Sequence, residues 1–222
     1  MSKILFIAPH PDDETLGCGG TILKHKKNGD SIFWLIITEA NQKIEIIKNF
    51  ENIRKEYIRK VSQEYAFDKT FQLSFLTTEL DTYPLNKIIG EIKRVFFSIQ
   101  PEIIYLPNRT DVQSDHRIVF DAVYSCTKSF RAPYVKKVLM YETLSETEFT
   151  PSLHEKAFIP NYFIDITPYL KRKLEIMKIF TSELMEDLYP RTISTMEALA
   201  RYRGSRIGVK FAEAFYILFE KN

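Results

Sequence analysis

Short apolar runs alternate with longer, helix-like segments through the first two-thirds of this 222-residue chain. Short runs rich in β-branched and aromatic residues are typical of buried strands. Such runs occupy 3–8, 31–38, 71–75, 102–106 and 137–142. The segments between them space their apolar residues three and four apart, as amphipathic helices do. The alternation predicts an α/β fold: a single domain over 1–222 with a Rossmann-like, mostly parallel sheet and helices on both faces.

The helical segments of this pattern are 14–28, 44–66, 85–99 and 119–129. The last third of the chain is less regular. Pro190 separates two amphipathic segments, 168–188 and 191–203, and both are predicted to be helices. Residues 161–165 are strand-like, and the apolar segment 211–219 fits a helix or a strand.

The overall charge and the cysteine content exclude several classes of protein. Lys and Arg number 31 against 29 Asp and Glu, and this net charge of +2 argues against a nucleic-acid partner. No apolar stretch reaches the roughly 18 residues of a membrane span, so none is expected. Cys18 and Cys126 are the only cysteines, which predicts no disulfide framework and a cytoplasmic location. Homo-oligomerisation is left open.

The segment APHPDDETLGCGG directly follows the first predicted strand. In an open parallel sheet, ligands bind beyond the carboxyl ends of the strands. His10 and Asp13 stand three positions apart there and can converge on one metal ion. The alternative is ordinary helix capping by Asp12 or Asp13, but capping does not explain so many polar groups in one loop beside an apolar strand. The glycines do not follow the G-x-G-x-x-G spacing, so a dinucleotide site is rejected.

A second polar segment, PNRTDVQSDHR, follows the predicted strand 102–106 and opens a helix. His116 is the natural third metal ligand, and Asp115 beside it is expected to orient it. Two histidines and one carboxylate leave coordination positions open, which is the pattern of a catalytic zinc site. A magnesium-dependent phosphoryl-transfer site is disfavoured because imidazole ligands prefer zinc to magnesium.

Together the two segments resemble the PIG-L/LmbE family, the metal-dependent N-acetylglucosaminyl deacetylases. The resemblance implies that His10, Asp13 and His116 bind one zinc ion, or another divalent transition metal, and that Asp12 is the general base. It also implies hydrolysis of the N-acetyl group of a GlcNAc-like sugar, either a small molecule or a sugar linked to a carrier. Asp115 would belong to the catalytic set.

One residue departs from the family pattern. Many members have a histidine three residues before the last ligand, where it stabilises the tetrahedral intermediate, whereas this chain has Gln113. A glutamine can donate a neutral hydrogen bond to an oxyanion but cannot carry a positive charge. Gln113 is therefore included among the catalytic residues, and weakened catalysis is an alternative.

The substrate contacts and the competing functions are less constrained. The resemblance implies that an arginine on the helix after the second strand contacts the sugar, and Arg54 is the candidate. A solvent-exposed helix face with alternating charges explains Arg54 and Arg59 equally well. Asp81 and Asp111 are further candidates, with Asp111 expected at the rim of the site. A deacylase of another N-acyl amine and a catalytically weakened sugar- or nucleotide-binding homologue are the alternative functions.

Overall fold

The computed structural model describes residues 1–41, 43, 47 and 49–221. The strands are β1 (Lys3–Ala8), β2 (Ser31–Glu39), β3 (Lys69–Leu76), β4 (Ile103–Pro107), β5 (Lys137–Tyr141), β6 (Tyr162–Asp165) and β7 (Ala212–Glu220). The helices are α1 (Asp13–Lys27), α2 (Phe50–Tyr65), α3 (Leu85–Ile99), α4 (Ser114–Cys126), α5 (Leu170–Met177) and α6 (Ile193–Ser205). The prediction of a helix over 44–66 is met from Phe50 onward, and 44–46 and 48 lie outside the described residues.

The strands form one sheet in the order β3-β2-β1-β4-β5-β7-β6. The pairs from β3 to β5 are all parallel, whereas β7 runs antiparallel between β5 and β6. The order reverses direction between β1 and β4, as it does in doubly wound folds. The predicted Rossmann-like α/β fold is confirmed. The undecided segment 211–219 is a strand.

The two faces of the sheet are covered by different helices, because successive side chains of a strand point to opposite faces. Phe6 of β1 belongs to the cluster that α1, α2, α5 and α6 cover. Ile7, the next residue, belongs to the cluster under α3 and α4. All the core residues of β1 from Ile4 to Ala8 are fully buried, which makes the strand a rigid base for the loop that follows it.

Helix α1 lies unusually close to the sheet. A Cβ atom on Gly17 would come within 2.3 Å of the Tyr141 ring, and one on Gly20 within 2.6 Å of Ile166. Both distances are far below van der Waals contact, so only glycine fits at these positions. The glycines after the acidic loop therefore serve helix packing.

A buried ion pair also contacts the middle of α1. The carboxylate of Glu213 accepts hydrogen bonds from the backbone N–H groups of Gly20 and Thr21, each at 2.8 Å. The ammonium of Lys173 donates to the carbonyl oxygen of Leu16 at 2.8 Å and to Glu213 at 2.7 Å. The Leu16 carbonyl and the Gly20 N–H are the i and i+4 partners of a regular helix. Here each of them also binds one member of a side-chain ion pair from the last third of the chain.

The predicted helix over 168–188 is wrong in its second half, because α5 ends at Met177. Residues 178–192 are turns and irregular backbone. Glu183 forms an ion pair with Arg191 at 3.3 Å, and this contact requires the chain to fold back on itself. A tertiary contact thus overrides local helix propensity.

Within the described residues, no helix combines the length and apolarity needed to cross a bilayer. Cys18 and Cys126 are free and buried. The cytoplasmic location stays a prediction.

Candidate metal centre and active site

The two polar segments meet at the point where the strand order reverses. β1 and β4 are adjacent in the sheet, and their parallel pairing brings their carboxyl ends to the same edge. The loop that carries His10 and Asp12 leaves β1, and the loop that ends at Gln113 leaves β4. This edge is where open α/β sheets bind their ligands.

His10, Asp13 and His116 converge there, and one potential ligand atom of each lies within 4.8 Å of the others. Asp13 Oδ2 lies 3.4 Å from His10 Nδ1 and 3.4 Å from His116 Nε2. Two ligands bound to a tetrahedral zinc at about 2.0–2.1 Å are themselves about 3.3 Å apart. His116 Nε2 is also fully buried and has no hydrogen-bond partner among the described residues. A buried nitrogen acceptor without a partner, facing a carboxylate oxygen, fits a metal ligand.

Each histidine is oriented by a different carboxylate. Asp111 Oδ2 lies 2.8 Å from His116 Nδ1, and Asp115 Oδ2 lies 3.0 Å from His10 Nε2. Each contact occupies one ring nitrogen and turns the other toward Asp13, as outer carboxylates do for metal-binding histidines. The expectation that Asp115 orients its neighbour His116 is therefore wrong: Asp115 orients His10.

The prediction that Asp111 lies at the rim of the site is wrong. Its side chain is fully buried and accepts hydrogen bonds from Asn108 and Thr147 in addition to its contact with His116. A carboxylate in this position orients the His116 ring and does not line the cavity. Asp81, on the short 3-10 helix Leu80–Thr82, is exposed and is not among the residues that line the cavity.

The carboxylates stabilise positive charge at the site. Burial disfavours charged imidazoles, but Asp115 and Asp13 outweigh it and raise the pKa of His10. Against the same effect of burial, Asp13 and Asp111 raise the pKa of His116 well above its ordinary value. Burial by itself would raise the pKa of Asp13, but the two histidines outweigh it and lower that pKa. The buried carboxylate of Asp13 thus favours a positive charge beside it, as a metal-binding carboxylate must.

Asp12 adopts a backbone conformation that residues with a Cβ rarely occupy, with φ of 146°. Its N–H donates to Glu14 Oε2 at 3.1 Å, and its carbonyl oxygen accepts the first hydrogen bonds of α1, from Thr15 and Leu16. Glu14 is fully buried, so the loop is held from inside the protein. Strain of this kind is stored at functional sites when the surroundings enforce it.

A polar cavity of about 240 Å³ opens above these residues. Besides His10, Asp12 and Asp13, the residues that line it include Phe50, Arg54, Tyr57, Gln113, Glu146, Glu183 and Arg191. Arg54 is buried and donates to the Thr38 hydroxyl at 2.9 Å. Arg59 instead lies on the exposed side of α2, where it pairs with Glu56. The structure thus brings Arg54 and Gln113 to the cavity and leaves Arg59 outside.

Three charged cavity residues were missed by reasoning from the sequence. Arg191 Nη1 lies 3.3 Å from Asp12 Oδ2 and 3.3 Å from Glu183 Oε2. Glu146, half-buried in the same cavity, has a pKa raised by burial. None of the three stands in a motif, and a single charged residue in an irregular segment carries no local signal of a site.

Comparisons with known proteins find similar proteins over almost the whole chain. The diacetylchitobiose deacetylase of Thermococcus kodakarensis is 26% identical over 220 residues, covering 96% of this chain and 82% of that protein. A conserved protein from Thermus thermophilus superposes with a TM-score of 0.80 at 22% identity, covering 100% of this chain and 97% of the other. The N,N'-diacetylchitobiose deacetylase from Pyrococcus horikoshii, complexed with an inhibitor, gives 0.76 at 21% identity and covers 98% and 84%.

The family comparison covers the part of the chain that carries both polar loops. The model of the PIG-L family, described as GlcNAc-PI de-N-acetylase, matches residues 5–127. This match includes His10, Asp13 and His116, and it spans more than half of the chain. The chain therefore belongs to the PIG-L family.

Proposed function

We propose that this protein is a hydrolase that removes the N-acetyl group of a GlcNAc-like sugar, using one zinc ion held by His10, Asp13 and His116. The observation that carries the proposal is the convergence of these side chains beneath a cavity that Asp12 also lines. The family description and the deacetylase from Thermococcus kodakarensis support the reaction and the class of substrate.

Zinc is the metal that this set of donors favours, although another divalent transition metal would fit the same atoms. Three protein ligands are the usual number at a catalytic zinc, because a coordination position must stay open for water and substrate. Bound here, zinc would lower the pKa of a coordinated water and polarise the acetamide carbonyl. His10 and His116 must be neutral to bind it, and the carboxylates of Asp115 and Asp111 fix which ring nitrogen each of them offers.

Asp12 is the proposed general base. It borders the ligand Asp13 but stands outside the donor group, and it lines the cavity. Its carboxylate accepts a proton from the attacking water and then returns it to the nitrogen of the departing amine. Burial, followed by the charge of Asp13, raises the pKa of Asp12.

Two further cavity residues are proposed to contact the substrate. Gln113 can donate a hydrogen bond from its side-chain amide to the acetyl oxygen, in place of the histidine common in the family. Arg54 is held by Thr38 and is proposed to bind sugar hydroxyls. The proposal includes both free and carrier-linked sugars as substrates.

The experiment combines elemental analysis with an assay of amine release. Wild-type protein is supplied with GlcNAc, N,N'-diacetylchitobiose, UDP-GlcNAc and a GlcNAc glycoside, beside Asp12→Asn and His116→Ala. We expect about one zinc per chain and amine release in the wild type, zinc without turnover in Asp12→Asn, and weakened zinc binding in His116→Ala. His154→Ala is the matched control, because His154 is exposed and distant from both loops in sequence.

The alternative functions give different results in the same assay. Release of amine only from N-formyl or other N-acyl amines would establish a different deacylase. Zinc binding without release from any acylated amine would favour a binding protein weakened at Gln113. Failure to take up metal on titration would overturn the proposal.

A further inference from the structure

We propose that Arg191 is a positioning residue for Asp12, and that through it the segment 183–191 becomes part of the catalytic site. This inference rests on the proposed function, because it assigns a role toward the general base. The contact joins the acidic loop after β1 to a segment that no motif singles out.

The first observation is the environment of the Asp12 carboxylate. Arg191 Nη1 approaches Asp12 Oδ2 to 3.3 Å, and this is the only side-chain hydrogen bond that the carboxylate makes within residues 1–41, 43, 47 and 49–221. Asp12 is only 3% exposed, so little water competes for the contact. The rotamer of the carboxylate therefore depends on one guanidinium.

The second observation is that the hydrogen bonds of the Asp12 backbone do not involve its carboxylate. The backbone φ of 146° lies outside the usual conformations of residues with a Cβ. Glu14 accepts a hydrogen bond from the Asp12 N–H but does not contact the Asp12 carboxylate. A general base must lie within about 2.6–3.2 Å of the proton it removes. A small rotation of the side chain would break that approach, so its orientation has a direct kinetic consequence.

The third observation is that Arg191 is itself anchored. Its guanidinium also binds Glu183, and its carbonyl oxygen accepts a hydrogen bond from the N–H of Met185 at 2.9 Å. The next residue, Thr192, caps α6 by accepting from the N–H of Thr195. Arg191 is thus fixed between a closed loop and the start of a helix, which prepares its side chain to hold Asp12 before substrate arrives.

The contact separates this role from binding of the metal, and kinetics separate it from binding of the substrate. Arg191 contacts a residue that is not a proposed ligand, so its removal should leave zinc in place. If it orients the base and does not bind the sugar, its loss should lower kcat and change KM little. A guanidinium ion from solution can occupy the space left by the shortened side chain and restore part of the contact.

The test compares wild type, Arg191→Ala and Arg191→Lys with Arg201→Ala, a control that removes an exposed arginine paired with Glu197 on α6. We expect Arg191→Ala to lower kcat by about 10- to 100-fold, because a misplaced catalytic group loses effective molarity. KM should stay within about threefold, the zinc content should be unchanged, and millimolar guanidinium should restore part of the rate. Arg191→Lys should retain intermediate activity, and Arg201→Ala should match wild type with no effect of guanidinium. A crystal structure of Arg191→Ala should show Asp12 in another rotamer.

The outcomes that overturn the inference are distinct from failure of the proposed function. Full activity of Arg191→Ala beside an active wild type removes the positioning role. A rise in KM with unchanged kcat makes Arg191 a substrate-binding residue, and loss of zinc or of thermal stability in step with activity makes it structural. A wild type that binds zinc but releases no amine overturns the proposed function and this inference together.

Discussion

The Nδ1 atom of His116 lies 2.8 Å from Oδ2 of Asp111, in a contact where both side chains are fully buried. The neutral amide of Asp111→Asn would keep the shape but lose the charge that orients the ring. We expect the Kd for zinc to rise about 10- to 100-fold, as it does on removal of outer carboxylates at other zinc sites. Competition with a chromogenic chelator measures this affinity. Asp81→Asn should bind zinc like wild type, and equal affinity of the two variants would contradict the assignment.

Gln113 occupies the position where a histidine is common in the family. If its amide donates to the acetyl oxygen as that oxygen gains charge, Gln113→Leu should lower kcat by about 10- to 100-fold, a somewhat smaller loss than for an oxyanion-hole donor elsewhere. Steady-state kinetics on the best substrate of the panel measures the effect. Because Gln113 is not a proposed ligand, zinc content should stay constant. An unchanged kcat would exclude Gln113 from catalysis.

Removal of the metal should lower the thermal stability of the protein. A ligand that binds only the folded chain stabilises it by about 2.7 kcal/mol at 100 times its Kd, which is roughly 5–10 °C in Tm for a chain of this size. Differential scanning fluorimetry with and without a chelator measures the shift. His116→Ala should show little further shift on chelation. A Tm of the wild type that does not respond to chelator or to added zinc would contradict metal binding in the folded state.

Lys173 and Glu213 form a buried pair, with side chains only 5% exposed on each partner. Lys173→Met leaves a buried carboxylate without its counter-charge, and Glu213→Gln leaves a buried ammonium. Each single change should lower the free energy of unfolding by about 3–5 kcal/mol. The double variant should lose clearly less than the two losses added together. Urea denaturation of all four proteins gives the coupling energy, and additive losses would show that the pair is not coupled.

The imidazole of His25 makes folding stability sensitive to pH. Burial lowers its pKa from the ordinary value of 6.5, despite its hydrogen bond to Asp30. Below pH 6.5 the unfolded chain therefore binds a proton that the folded chain excludes, so stability falls as pH falls through this value. His25→Gln should weaken this dependence. Urea denaturation of the zinc-saturated proteins at pH 7.5 and 5.5 measures it, and identical pH slopes would contradict the prediction.

The proposed ligands could be predicted because each polar loop is local in sequence and follows a strand. Once β1 and β4 are adjacent and parallel, their loops must meet at one edge, and His10, Asp13 and His116 come together without any further information. The fold class was predictable for the same reason, since the alternation of strands and helices leaves few topologies.

The carboxylates that orient the two histidines could not be predicted from their neighbours in the sequence. Asp115 follows Gln113 by two positions and precedes His116 directly, but successive residues of a helix do not face each other. Asp115 therefore turns toward the 77–80 region and His10, while Asp111 reaches His116 from the preceding loop. Sequence neighbours of a ligand are poor guides to the groups that orient it.

The contact of Arg191 with Asp12 lay beyond sequence reasoning because the two residues are 179 positions apart. The same contact belongs to the segment in which a continuous helix over 168–188 was wrongly predicted. The spacing of apolar residues favoured that helix, whereas in the structure the chain turns back and Arg191 pairs with Glu183. The error in secondary structure and the missed cavity residue thus fall in the same segment.

The position of Glu213 has a consequence for the order in which the protein is made. All three proposed ligands lie within the first 116 residues, whereas Glu213, whose carboxylate braces α1, is synthesised only after all of them. A chain still emerging from the ribosome holds every ligand before it holds the support for the helix that begins at Asp13. Truncation before β7 should therefore leave a protein with the complete ligand set and a poorly formed metal centre. The loops of the site thus depend on β7 for the support of the helix that carries Asp13.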